Sequence, residues 1–416
     1  MFAFGRLGFG ECDSYRGVPE DRIVQMLMLG GSAYEGDSPQ AARSAANALQ
    51  TWTEIGLGFR RAADGGRLFD PVEVENFMKR AGMEARHDFW AERYVVTGRR
   101  LVLDFATKNR GEAATGEREF VVNFTRSFNL RRIKSGSRLR LRVPLPCQGH
   151  HLRHLSVTPS VGEMNTKVEI QDGRLEARTV ICGEAEARMG AKIKFTVCQR
   201  NERLDETLTE LDRKLYLRPQ DGWVVITKRV SSLAKSLADA NAEPQEVVRS
   251  FWNFFNDRLF CGAIHYDRVN VAAPGDWVLD AGWFDCQLGS ALFVALCRAR
   301  GIPARLLGGR VLYRLAPTQH YWVEVWLDGR GWIPFDFLSW DLSRGGRDAD
   351  WRDHFFGRLD FRMTTECLPR QFTGAIGIPI PELWLLLRRA HAGGLETSMV
   401  DAGGEPIYTD TIQVSG

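Results

Sequence analysis

The sequence predicts an α+β fold: a cysteine-bearing helix packed on an antiparallel sheet, preceded by a β-rich segment and a mainly helical N-terminal region. Three observations carry this. Apolar residues recur at helical spacing through residues 1–115, then at a period of two from Glu117 onward. A nearly continuous apolar stretch, Leu288 to Cys297, stops at Gly301 and Pro303 and reads as a buried helix. Beyond it, His320 to Leu327 and Gly331 to Phe335 flank Asp328-Gly329, the pattern of a β-hairpin.

In chain order, Glu20 to Leu29 and Pro39 to Phe59 carry helical spacing, and Asp70-Pro71 caps a helix over Val72 to Ala81. Phe120 to Phe124, Leu139 to Val143, Lys167 to Ile170 and Lys192 to Val197 alternate apolar with polar residues. Gly and Pro punctuate them, which predicts a small antiparallel β domain over 116–205. Arg218 to Gly222 reads as a turn. A mixed domain over 206–391 follows, with helices at Val224 to Asn241 and Pro244 to Phe260 and strands at Arg305 to Tyr313, Tyr321 to Leu327 and Gly331 to Phe335. Residues 392–416 are rich in glycine and polar residues and read as a flexible, loosely held tail.

Composition narrows the partners. With 55 basic against 52 acidic residues the net charge is +3, too balanced for a general nucleic-acid binder. No apolar run approaches the roughly 20 residues that span a bilayer. The start, Met1 to Gly8, lacks a charged leader followed by a long apolar core. The expectation is a soluble, cytoplasmic protein with no nucleic-acid and no membrane partner. The eight cysteines form no Cys-x-x-Cys pair and are too sparse for a disulfide scaffold, so reduced thiols are expected.

One of those thiols has the setting of a nucleophile. Asp285 is placed to cap the apolar helix, which puts Cys286 in its first turn. There, backbone N–H groups and the positive end of the helix dipole lower a thiol pKa. His320 can take the thiol proton, and Asp336 can orient the imidazole and stabilise its charged form. A buried cysteine alone is a small hydrophobe; the conjunction of all three residues is what points to chemistry. Cys297, three turns further along the helix, and Cys261 and Cys367 read as structural. His150, His151 and His154 have no Cys or acid beside them and read as a solvated loop, so no metal is expected. No Walker or dinucleotide loop occurs, and no cofactor is expected. Trp322, Trp326 and Trp332 read as packing residues around the triad, with the lining of an apolar acyl channel as the other reading.

Cys286 at a helix start, Arg298 to Arg305 reading Arg-Ala-Arg-Gly-Ile-Pro-Ala-Arg, His320 to Val325 reading His-Tyr-Trp-Val-Glu-Val, and Gly331-Trp332 to Asp336 together resemble the transglutaminase-like superfamily of cysteine enzymes. The resemblance covers about half the chain. It implies a papain-like or transglutaminase-like catalytic domain over 206–391 and a Cys286–His320–Asp336 triad. Tyr321 departs from the pattern, in which small residues are common beside the histidine, and is expected to narrow the acceptor side. Calcium dependence is not carried over. The implied chemistry is acyl transfer: Cys286 attacks a carbonyl, a thioester acyl-enzyme forms, and an amine or water resolves it. The donor is a protein, peptide or carrier-protein-bound acyl group. Amide formation is the first reading, hydrolysis by a peptidase or amidase the second, and an inactive binding scaffold the third. The Cys286 N–H is the expected oxyanion donor, with Trp283 as a second.

The triad also imposes a register. Side chains alternate along a strand, so Asp336 must lie on the face shared by His320 and Trp322. That requires an odd number of residues in the loop between Trp326 and Trp332, which a three-residue turn with Gly329 in the left-handed conformation supplies.

Overall fold

The computed structural model describes residues 17–30, 38–80, 117–147, 152–162, 168–171, 173–198, 207–262, 264, 269–314, 317–337, 352–353, 355–358, 361–367, 385–391, 394–400 and 406–416. The chain divides into two compact units, residues 1–95 with 262–265, and residues 96–261 with 266–416.

In the first unit, strand β1 (Val18–Pro19) leads into helix α1 (Glu20–Gly30), and α2 (Pro39–Glu54), β2 (Phe59–Arg61), β3 (Arg67–Phe69) and α3 (Pro71–Arg80) follow. The strands form one antiparallel sheet in the order β1-β3-β2. Ser38 caps α2 by accepting the Ala41 N–H, and the helix buries Ala41, Ala45, Leu49 and Trp52, spaced three or four apart. The helix expected over Pro39 to Phe59 stops at Glu54. Gly56, at φ +118°, breaks it and releases Phe59 into β2. Residues 81–116 of the expected helical region lie outside the described residues.

The second unit opens with β4 (Glu117–Asn129), β5 (Arg138–Pro144), β6 (Leu152–Val161), β7 (Val168–Gln171), β8 (Arg174–Val180) and β9 (Glu186–Cys198). Then come α4 (Glu210–Leu215), β10 (Gln220–Asp221), β11 (Val224–Val225), α5 (Lys228–Ser236) and α6 (Pro244–Arg258). Strand β12 (Phe260–Cys261), α7 (Pro274–Ala281), β13 (Trp283–Phe284) and α8 (Cys286–Ala299) lead to β14 (Ala304–Val311), β15 (Gln319–Leu327), β16 (Gly331–Phe335) and β17 (Arg362–Cys367). The chain closes with β18 (Leu385–His391), β19 (Gly394–Val400) and β20 (Pro406–Ser415).

Three larger sheets result, in the orders β18-β19-β20-β4-β9-β6, β5-β8-β7 and β16-β15-β14-β17. The period-two pattern of β4 buries Phe120, Val122 and Phe124 on one face. Leu141, Leu175 and Ala177 of the three-stranded sheet share that core, and so do Leu312, Phe361 and Met363 from beside and within the four-stranded sheet. The expected boundary near residue 205 therefore falls inside one compact unit. Around α8 the core is aromatic: Phe293 meets Phe255 at 5.5 Å and Phe335 at 5.4 Å, and Trp252 stacks on Phe337 at 5.3 Å. No helix among the described residues is long and apolar enough to cross a membrane.

The C-terminal segment corrects the sequence reading. Far from a loose tail, β19 and β20 join the six-stranded sheet, and β20 pairs with β4 from Tyr408↔Phe128 to Ser415↔Val121. Ile412 and Val414 are buried, because a polar average composition conceals a period-two alternation. Asp410 adds a buried ionic tie: Arg126 donates to its two oxygens at 2.7 and 2.9 Å, and Arg310 of β14 donates at 2.9 Å. Replacing Asp410 by Ala strands two buried guanidinium groups. We expect a stability loss of about 3–5 kcal/mol in urea unfolding. A loss within about 0.5 kcal/mol of zero would show that the tie is idle.

Candidate active site

The helix that carries Cys286 is fixed at both ends. At its start, Asp285 Oδ1 accepts the N–H groups of Gln287 at 3.1 Å and Leu288 at 2.9 Å. The residues just before it, Trp283–Phe284, pair in parallel with Phe260–Cys261. Gly289 lets the Phe284 ring pack down on the helix, since a Cβ there would lie 2.2 Å from that ring. At the far end Gly301, at φ +73°, turns the chain. Buried Arg298 donates to Ala304 O at 2.9 Å and Arg218 O at 3.0 Å, tying the helix exit to β14. Every residue from Cys286 to Arg298 is buried.

The hairpin meets the register condition. Leu327 pairs with Gly331, leaving Asp328, Gly329 and Arg330 as a three-residue loop, with Gly329 at φ +74° and the Arg330 N–H bonded to Leu327 O at 2.9 Å. The ladder Val323↔Phe335 then sets Asp336 opposite Trp322, on the His320 face. His320 Nε2 lies 2.9 Å from each Asp336 oxygen. A carboxylate only accepts, so Nε2 carries the hydrogen and Nδ1 is left as the proton acceptor. Among the described residues, Nδ1 has no hydrogen-bond partner.

The Cys286 sulfur faces the backbone N–H of Tyr321, the residue after His320, and that donor favours the thiolate. Burial outweighs it and pushes the thiol up to about 12, with Asp285 and Cys261 adding to the rise. This corrects the expectation of a lowered thiol pKa at a solvent-reachable helix end: Cys286 is only 7% exposed. Burial also lowers the His320 pKa, against the opposing pull of Asp336, and Arg362 lowers it further. Both shifts favour the neutral pair, with the proton on sulfur.

The other anticipated residues take different places. The Tyr321 ring lies over Gly308, whose Cβ would come within 3.0 Å of it, and its hydroxyl accepts from Gln319 Nε2 at 3.3 Å. Its main chain is what meets the thiol. Trp322 stacks on His320 at 6.2 Å and 21° and packs with Leu307 and Cys367. Trp283 packs on Phe260 at 5.8 Å and edge-on to Trp277 at 6.4 Å. Cys297 is fully buried and Cys261 and Cys367 are buried, while His154 is exposed on β6. His150 and His151 lie outside the described residues. Among the described residues no group of three or more His, Cys, Asp or Glu side chains is placed to hold a metal ion.

The structure adds residues that the sequence reading did not single out. Arg305 and Glu324 pair across β14 and β15, with Nε–Oε2 at 2.8 Å, and the Arg305 guanidinium sits 4.0 Å from the Trp332 ring centroid. Both lie in the quoted motifs, so part of that pattern is scaffold. Arg362 donates to Asp336 Oδ2 from Nη2 at 2.9 Å and Nε at 3.2 Å.

The resting protonation state sets a pH profile. With the thiol held up and the imidazole held down, alkylation of Cys286 by iodoacetamide should climb continuously through about pH 9, with no plateau between about pH 6 and 8. A neutral-pH plateau would instead reveal a resting thiolate–imidazolium pair.

Residues 231–337 match the Transglutaminase-like superfamily. The protein-glutamine gamma-glutamyltransferase of Pseudomonas aeruginosa is 28% identical over 118 residues, a match covering 26% of this chain and 18% of that protein's length. Among solved structures, the periplasmic domain of TgpA from Pseudomonas aeruginosa is similar with a TM-score of 0.33 and 18% identity, over 61% of this chain and 96% of that one. Red sea bream transglutaminase is similar with a TM-score of 0.28 and 11% identity, over 68% and 75% of the two chains. Cys286, His320 and Asp336 all fall within the segment that matches the Transglutaminase-like superfamily.

Proposed function

We propose that this transglutaminase-like domain is a cysteine acyltransferase that forms an amide through a thioester on Cys286. The observation that carries the reading is the buried His320–Asp336 hydrogen bond, which leaves Nδ1 free to accept a proton while Cys286 lies against the adjoining main chain. As the sulfur attacks the acyl carbon, Nδ1 takes the thiol proton, and Asp336 stabilises the imidazolium so formed. His320 then passes that proton to the departing amine. An incoming amine gives its proton to His320, attacks the thioester and restores the thiol.

Burial favours transfer over hydrolysis. Cys286, His320 and Asp336 are 7%, 1% and 2% exposed, and an acyl-enzyme formed in so covered a place meets water poorly. The donor class that fits best is a glutamine side-chain amide, the group named for the Pseudomonas aeruginosa relative. A carrier-protein thioester is the other donor the same steps would accept. The cytoplasmic setting expected from the sequence belongs to this proposal. It would keep the thiol reduced.

Incubation with a glutamine-containing peptide, with and without a primary amine, tests the reading by product mass. Amine incorporation with ammonia release is expected. Deamidated peptide alone, even at high amine concentration, would make the protein an amidase. Cys286→Ala should abolish both products at a stability cost of about 1 kcal/mol. Asp336→Asn should lower kcat by about a hundredfold or more at little change in KM.

A further inference from the structure

The carboxylate beneath His320 accepts from two side chains, an imidazole and a guanidinium. Both Asp336 oxygens lie 2.9 Å from His320 Nε2, while Arg362 Nη2 and Nε converge on Oδ2 at 2.9 and 3.2 Å. Arg362 arrives from β17, at the opposite edge of the four-stranded sheet from β16. Register explains how it gets there. Gly309 pairs with both His320 and Thr364, so Arg362, two residues before Thr364, shares the His320 face. The guanidinium is 3% exposed, lies 5.5 Å from the Tyr313 ring centroid, and also donates to Phe361 O at 3.3 Å.

A guanidinium buried at this depth is costly unless it is paired, and here its partner is the acid that orients the imidazole. His320 is met by Asp336 and Arg362 and by the Trp322 ring; Cys286 is met by Asp285, Cys261 and the Tyr321 main chain. Among the described residues, Arg362 is the cation that lowers the His320 pKa.

We infer that Arg362 is a positioning residue: it locks Asp336 onto His320 and offsets its charge, so that the imidazole remains an uncharged proton acceptor until the acyl group arrives. This rests on the proposed triad. Two effects follow from the same contact. With Oδ2 held by Arg362, the carboxylate cannot swing away from Nε2, so the Nε2–H tautomer and the free Nδ1 are maintained. With its charge partly balanced, Asp336 stabilises the imidazolium too little to draw the proton off Cys286 before substrate binds. The thiol is then kept from wasteful reaction with small electrophiles in the empty site.

The test uses the full chain with R362Q and R362K. The His320 titration is followed by NMR, its signal assigned by its absence from H320Q, alongside the pH profile of Cys286 alkylation. R362Q should raise the His320 titration by about one pH unit or more, because a cation within hydrogen-bonding distance of its partner is gone. It should also give alkylation a new plateau near neutral pH and lower kcat about tenfold with KM retained. R362K, which keeps the charge but loses the paired donors, should titrate close to wild type and recover part of kcat.

A folded R362Q with unchanged titration and alkylation profiles would overturn the inference and reduce Arg362 to packing. Should R362Q not fold, R362K decides: lowered kcat at wild-type KM supports the role, and wild-type kcat removes it. D336N separates this result from the triad itself. If the His320 titration ignores D336N, the triad reading fails; if it responds to D336N but not to R362Q, only the role of Arg362 fails.

Discussion

A three-residue connection between β15 and β16 decides whether Asp336 meets His320. Side chains alternate along each strand, so one residue more or fewer between Leu327 and Gly331 would turn Asp336 to the opposite face from His320. Two left-handed glycines make the odd loop possible, Gly329 at φ +74° and Gly331 at φ +75°. The same parity brings Trp326 opposite Trp332 and lets Arg305 cover Trp332 while bonding Glu324. The residues that look like a signature in the sequence are therefore mostly the means by which one register is enforced. His320 and Asp336 are what the register delivers.

Burial then sets the electrostatics. A helix N-terminus favours an anion by about 0.3–1 kcal/mol, whereas removing an ion from water costs several kcal/mol. Cys286 has both influences and burial prevails, so its thiol is raised rather than lowered. The imidazole is treated in the mirror sense: burial and Arg362 lower its pKa and Asp336 alone holds it up. The two effects act together, since each disfavours the same ion pair. On the proposed reading, what is pre-organised is an imidazole held by Asp336 through Nε2, and not a charge separation.

The sequence disclosed the local parts of this arrangement and not the distant ones. Helix α8 was legible because cap, apolar run, Gly301 and Pro303 are contiguous, and the hairpin was legible because its two strands are joined by one short turn. Arg362 was not. It lies 26 residues beyond Asp336, in a strand without clear alternation, and reaches the carboxylate only through the β14–β17 pairing. Strand β20 escaped for a related reason: its partner β4 lies nearly 300 residues earlier, as the separation of 284 between Arg126 and Asp410 shows. The depth of Cys286 escaped too, because a sequence shows which residues begin a helix but not what covers that beginning. Periodicity misled at Phe59, where helical spacing ran past Gly56.

Those distant contacts matter to the chemistry because they end behind Tyr321. Asp410 of β20 holds Arg310 of β14, the residue next to the Gly309 that pairs with His320. Glu366, opposite Gly308, is pushed to about 7 by burial while Arg126 and Arg310 pull it down, and its carboxyl lies where a Cβ on Gly308 would meet both it and the Tyr321 ring. Charges contributed by the six-stranded and four-stranded sheets thus converge on the strand whose main chain faces the thiol. In a low-dielectric interior such a network tolerates few arrangements, because each displaced member leaves another uncompensated. By holding Arg310 through Asp410, the β-rich part of the chain restrains the start of β15, the strand that carries His320 and Tyr321.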